Sequence, residues 1–146
     1  MTLVVNVATR ISDQVPALKD RMDYVAALAA LSAEGALPQR EVAGFVVPLG
    51  FDDRGANAAA GMYTQMIVDT IGVVLCVKAL GDAKAKRALV TIDSLVGDVL
   101  NAVAGWAPDN VAGVFTATRG RLLSVTKGLV IYQLDFALLD QLRIAR

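Results

Sequence analysis

Residues Tyr63 to Ala79 make the strongest demand on the fold, because they read as one long strand with apolar side chains on both sides. Alternate residues of an extended chain face opposite ways. Ile67, Ile71, Val73, Leu75 and Val77 then share one face, while Met66, Val68, Val74 and Cys76 fill the other. Such a strand has to be covered on both faces, by helices of its own chain or by a neighbouring subunit. Composition makes the same demand. The 146 residues are 55% hydrophobic but only 5% aromatic, so the excess is aliphatic,. A membrane span would need about 20 uninterrupted apolar residues. Val25 to Ala33 is too short, Val42 to Phe51 is broken by glycine and proline, and Ile71 to Val77 lies between Asp69 and Lys78. Burial between subunits is the preferred account. The N-terminus shows no secretory signal pattern.

Around that strand the other elements fall into place. Ser12 or Asp13 is read as the N-cap of a first helix, with Pro16 in its first turn. Val15, Leu18, Met22, Val25 and Ala29 follow at helical spacing, and Gly35 and Pro38 end it,. A short strand could precede this helix. Glu41 to Leu49 reads as a strand stopped by Pro48 and Gly50, and Phe51 to Gly61 as a long polar-to-small loop. A second helix carries Leu89, Ile92, Leu95, Val96, Val99, Leu100 and Val103 on one stripe and ends before Gly105,. After a corner at Trp106 and a loose segment to Thr118, Arg121 to Thr126 and the residues from Leu129 form a hairpin around Lys127-Gly128. In the last strand Val130, Tyr132, Leu134, Phe136 and Leu138 face one way. From Leu134 onward a helical spacing (Leu134, Leu138, Leu142) competes. These elements predict a single α+β domain over residues 1–146. Its core would be a mostly antiparallel sheet of about four strands, with two long amphipathic helices packed on one face.

Sources of chemistry are scarce. The chain has no histidine, so Ser-His and Cys-His nucleophiles are ruled out,. Its one cysteine, Cys76, sits in an apolar run and reads as a buried thiol, which together with the missing disulfide framework points to synthesis in a reducing cytoplasm,. Gly50, Gly55 and Gly61 are not followed by Gly-Lys-Ser/Thr and make no phosphate loop. Asp52 and Asp53 are neighbouring loop acids. No catalytic residue, cofactor site or metal site is predicted. Fourteen basic and fourteen acidic residues leave no net charge, which argues against tight sequence-specific DNA binding,. The residues left as candidates for contact with a partner are Asp52, Asp53, Arg54, Lys84, Lys86, Arg87, Trp106, Arg119, Arg121 and Lys127. Each has a plainer reading beside it. Lys84, Lys86 and Arg87 also suit a solvated face, Arg119 and Arg121 suit exposed hairpin positions, and Trp106 could fold back over its own helix end.

Gly105-Trp106-x-Pro108 after an amphipathic helix, Gly120-Arg121-Leu122-Leu123, then Tyr132, Asp135-Phe136 and Arg143 together resemble the tail terminator (tail completion) proteins of tailed bacteriophages. Ile11 to Ala30 and Phe45-Val46-Val47-Pro48 resemble the family's opening helix and first main strand. The resemblance implies a structural protein of the virion, assembled in the bacterial cytoplasm. Its protomers would form a homohexameric ring on the head-proximal end of the tail tube, ending tube growth and offering a surface for joining the head. Partners implied are the tail tube protein, the connector or neck protein, a sheath protein if the tail contracts, and DNA only in transit. Two other readings stand beside it: another neck or head-completion protein, and an oligomeric small-ligand-binding α+β protein or enzyme.

Overall fold

A computed structural model describes residues 2–24, 29, 41–78, 81, 86–109, 111–126 and 128–146. The elements are α1 (Thr2–Gln14), a 3-10 turn (Pro16–Leu18), β1 (Met22–Tyr24), β2 (Val42–Ala59), β3 (Met62–Lys78), α2 (Lys86–Val103), β4 (Phe115–Thr126) and β5 (Leu129–Ala145). The strands form one five-stranded sheet in the order β1-β2-β3-β5-β4. β1 runs parallel to β2, and the other pairings are antiparallel.

This corrects the expected fold class. The sheet is mixed and five-stranded, strands make up 55% of the described residues, and the first helix lies elsewhere in the chain. Ser12 and Asp13 belong to the end of α1, not to the start of a helix. Proline forces the residue before it out of the helical region. Val15 accordingly sits at φ −113° and ψ 102°, and Pro16 opens a single 3-10 turn. Met22, expected on the first helix, lies in β1, while Val25 and the proposed stops Gly35 and Pro38 fall outside the described residues. The segment that is helical, Thr2–Gln14, is rich in valine and threonine, which are poor helix formers,. Burial overrides that preference. Val4, Val7, Ala8 and Ile11 recur at helical spacing and enter the core.

α1 and α2 lie against the same apolar face of the sheet. Ile92, Leu95, Val99 and Val103 of α2 meet Ile71, Val73, Leu75, Val130, Leu134, Phe136 and Leu138 there. The opposite face holds a smaller cluster of Ala43, Phe45, Val74 and Cys76. Both faces of β3 are thus apolar and buried around its C-terminal half, as its alternation predicts. The corner after α2 is locked. Gly105, at φ 78°, donates its amide to the Phe115 carbonyl at 2.8 Å, and the Phe115 amide donates to the Trp106 carbonyl at 2.8 Å. Trp106 stacks on Phe115 (5.9 Å between centroids), which meets Phe136 edge-on. The Arg10 guanidinium lies 5.2 Å from the centre of the Trp106 ring and donates from Nε to the Ala102 carbonyl. Trp106 therefore does fold back, onto both helices.

β2 does not stop at Pro48. It continues to Ala59 through two register shifts, Pro48/Gly50 and Asp53/Ala56, where Gly50 and Gly55 adopt positive φ,. Beyond Val46 it has no β1 neighbour, and an edge position tolerates proline,. The expected loop Phe51–Gly61 is therefore the far half of a β2–β3 hairpin. Its turn is Ala60-Gly61, with φ 52° and 78°. Two positive φ values suit a tight hairpin, and only the second residue is a glycine. Alanine is strained there. Ala60→Asn should stabilise the protein by up to about 1 kcal/mol, seen as a higher thermal unfolding midpoint, whereas Ala60→Val should lower it.

Candidate functional site

The surface that stands out is a projecting arm. β4 ends its pairing at Phe115↔Leu138, and past that point the sheet continues as β2, β3 and β5 alone. From Asp69↔Leu138 to Met62↔Ala145 the β3–β5 ladder runs seven further steps, roughly 24 Å,. β2 is exposed from Pro48 to Ala59 along this arm. The Arg146 amide donates to the Gly61 carbonyl at 2.7 Å, tying the C-terminus to the arm's tip. There Ala58, Met62, Tyr63, Ile144 and Arg146 line a shallow depression of about 480 Å³.

Polar side chains fix the arm's inner geometry. The Asp53 carboxylate accepts from the Gly55 amide and from Gln65 Nε2, both at 2.9 Å, and the Tyr63 hydroxyl donates to Gln65 Oε1. These bonds, the Gly55 amide first, hold the Asp53 carboxyl below its ordinary value. Where the arm leaves the core the balance is opposite. Burial, and secondly the Asp140 carboxylate, push the Asp69 carboxyl above its ordinary value. Burial also pushes the Cys76 thiol up to about 11, so it stays protonated and inert near neutrality,. Among the described residues no group of three or more Cys, Asp or Glu could hold a metal ion, and no helix is long and apolar enough to cross a membrane.

The candidate contact residues do not converge on one spot. Asp52, Asp53 and Arg54 lie on the arm. Arg119 and Arg121 lie on β4, the edge strand at the other side of the sheet, opposite Asp135 and Gln133 of β5. Lys86 and Arg87 are exposed at the start of α2. This start is the end remote from the corner at Gly105, because α2 runs about 27 Å between them. Trp106 is half-buried in the packing around the corner. Lys84 and Lys127 lie outside the described residues. Sequence reasoning missed exposed apolar side chains at the two edges: Phe51 is 63% exposed, and Leu122, Leu123 and Val125 nearly half exposed. The available signal was the apolar run Leu122-Leu123 beside two arginines, Arg119 and Arg121.

The Asp69 shift has a measurable consequence. A carboxyl whose folded value is raised binds its proton more tightly in the folded state, so its penalty appears as pH rises through that value. Asp69→Asn should raise the unfolding midpoint at pH 7 and bring no gain below about pH 3, where the wild-type group is protonated folded or unfolded. A gain equal at both pH values would show that the charge is irrelevant.

No curated protein matches the chain. The family model described as phage tail terminator protein matches residues 4–146, nearly its whole length, and so the chain belongs to the phage tail terminator family, a structural protein of tail completion in the virion.

Proposed function

We propose that the chain is a single-domain protomer of a closed ring, a homohexamer, which sits on the head-proximal end of the tail tube, ends tube growth and supports head joining. The observation that carries this reading is an arm whose β2 strand is exposed from Pro48 to Ala59, together with two edges on opposite sides of the sheet, β2 beyond Val46 and β4, that pair with no further strand among the described residues. Cyclic assemblies join two different patches on each subunit, and unpaired edges are costly surfaces for a protein that stays alone. A ring whose tube-facing side matches the tube while its other side does not cannot template a further layer. Termination is then steric and needs no catalytic group.

Within this reading the partners are the tube protein on one side and the connector or neck protein on the other, with a sheath protein in a contractile tail and DNA passing through the opening. The arm tip and, at the other end of the β3–β5 ladder, the residues that precede Leu129 (Lys127-Gly128 in the sequence) are the parts offered to tube or connector. The basic start of α2 contributes an electrostatic contact. Purified protein added to polymerising tube protein should give short tubes capped at one end by a ring in electron micrographs. A Lys84/Lys86/Arg87→Glu variant should fold normally and cap poorly. Tubes of unchanged length, or protein incorporated all along them, would overturn the reading.

A further inference from the structure

Resting on the ring reading, we infer that the seam between neighbouring protomers is a continuation of the sheet, in which β4 of one copy pairs with the arm portion of β2 in a second copy. β2 is antiparallel to β3, and β4 runs with β3 because both are antiparallel to β5. Rotation about a ring axis keeps each strand's sense along that axis, so β4 meets the neighbour's β2 antiparallel. Rotation also keeps each sheet face on its own side. Both edges are interrupted by two irregularities that leave a straight run of four residues, Arg119–Leu122 on β4 and Gly50–Asp53 on β2.

One register satisfies both faces of these runs. Arg119 and Arg121 lie on the face away from the helices, with Gln133 and Asp135, and Asp52 lies on that same face opposite Val68. Leu122, opposite Tyr132, and Phe51, opposite Asp69, lie on the helix side. Setting Arg121 against the neighbour's Asp52 places Leu122 against its Phe51. An ion pair then forms on one face and an apolar pair on the other, both of the kind that stabilises cross-strand contacts. The isolated protomer is incomplete at these positions. Arg121 Nε is buried without a hydrogen-bond partner, and Phe51 and Leu122 are 63% and 48% exposed. β4 carries two arginines and no acid, whereas the neighbouring run carries two aspartates, of which Asp53 is already held by Gly55 and Gln65.

The required offset is also reasonable. Within one protomer Arg121 shares a rung with Val74, and Asp52 with Val68, six rungs or roughly 20 Å apart,. Four strands spaced about 4.8 Å and tilted by about 45° shift one subunit against the next by roughly 19 Å.

Two experiments test the seam. A Phe51→Cys/Leu122→Cys chain, oxidised after assembly, should run as a covalent ladder ending at the ring size on a non-reducing gel, and neither single variant should do so. Cys76 is buried and does not compete. Arg121→Asp and Asp52→Arg should each weaken assembly at least about tenfold, and their combination in one chain should recover most of it. Circular dichroism checks that each variant folds. Rings that form without cross-linking and ignore both charge reversals would overturn the seam while leaving the ring intact. A wild-type chain that forms no ring, alone or on tubes, would overturn the ring reading and the seam with it.

Discussion

The ladder between β3 and β5 runs from Met62↔Ala145 to Lys78↔Leu129 with no register shift, and the rest of the molecule is arranged around it. One half of this ladder is the floor of the core, where Ile71, Val73, Leu75, Leu134 and Phe136 meet the two helices. The other half projects past the helices as the arm. Because the hydrogen bonds continue without a break, the arm is an extension of the core sheet and not an appended loop. Its direction is set by residues buried far from its tip. The change of environment is visible at Asp69 and Asp140, charged residues on the helix side just where cover ends.

The aromatic corner serves the same end from the other side. Gly105 turns the chain out of α2 and Phe115 takes it back into the sheet, each bonded to the other's strand of the corner. Phe115 is fully buried, so β4 starts from a fixed point and then runs along the edge with most of its side chains exposed and Arg121 and Ser124 half-buried. An edge strand anchored at one end and bare along its length presents its amides and carbonyls in a defined register. That is what pairing with another chain needs.

Legibility in the sequence followed burial. β3, β5 and α2 have one or both faces in the core, and their alternation or helical stripe is readable residue by residue. The competing helical spacing beyond Leu134 loses because β5 keeps its ladder to Ala145, where the side chains have partners across the strand but little cover. The far half of β2 is surrounded by water. Its sequence, Phe51 to Gly61, carries polar and small residues that no core selects, and its hairpin turn is Ala-Gly instead of Asn-Gly, so it reads as a loop. α1 was hidden for the opposite reason, since its β-branched residues disfavour a helix that only tertiary packing makes worthwhile. Pro16, expected in the first turn of a long helix, instead opens a single 3-10 turn after α1 has ended. Among the candidate contact residues, the sequence could mark exposed charges but not their neighbours. That Asp52 and Arg121 occupy opposite edges of one sheet, on the same face, depends on strand order, which no local pattern encodes.

The central claim is that the exposed arm and the bare β4 edge are surfaces completed by other copies. Amide hydrogen exchange compared between isolated protomers and protein assembled on tail tubes addresses it most directly. Assembly should slow exchange at Arg119–Leu122 and Gly50–Asp53, while the amides of the β3–β5 ladder in the core, already protected in the protomer, should change little. Equal exchange at both edges before and after assembly would contradict the account.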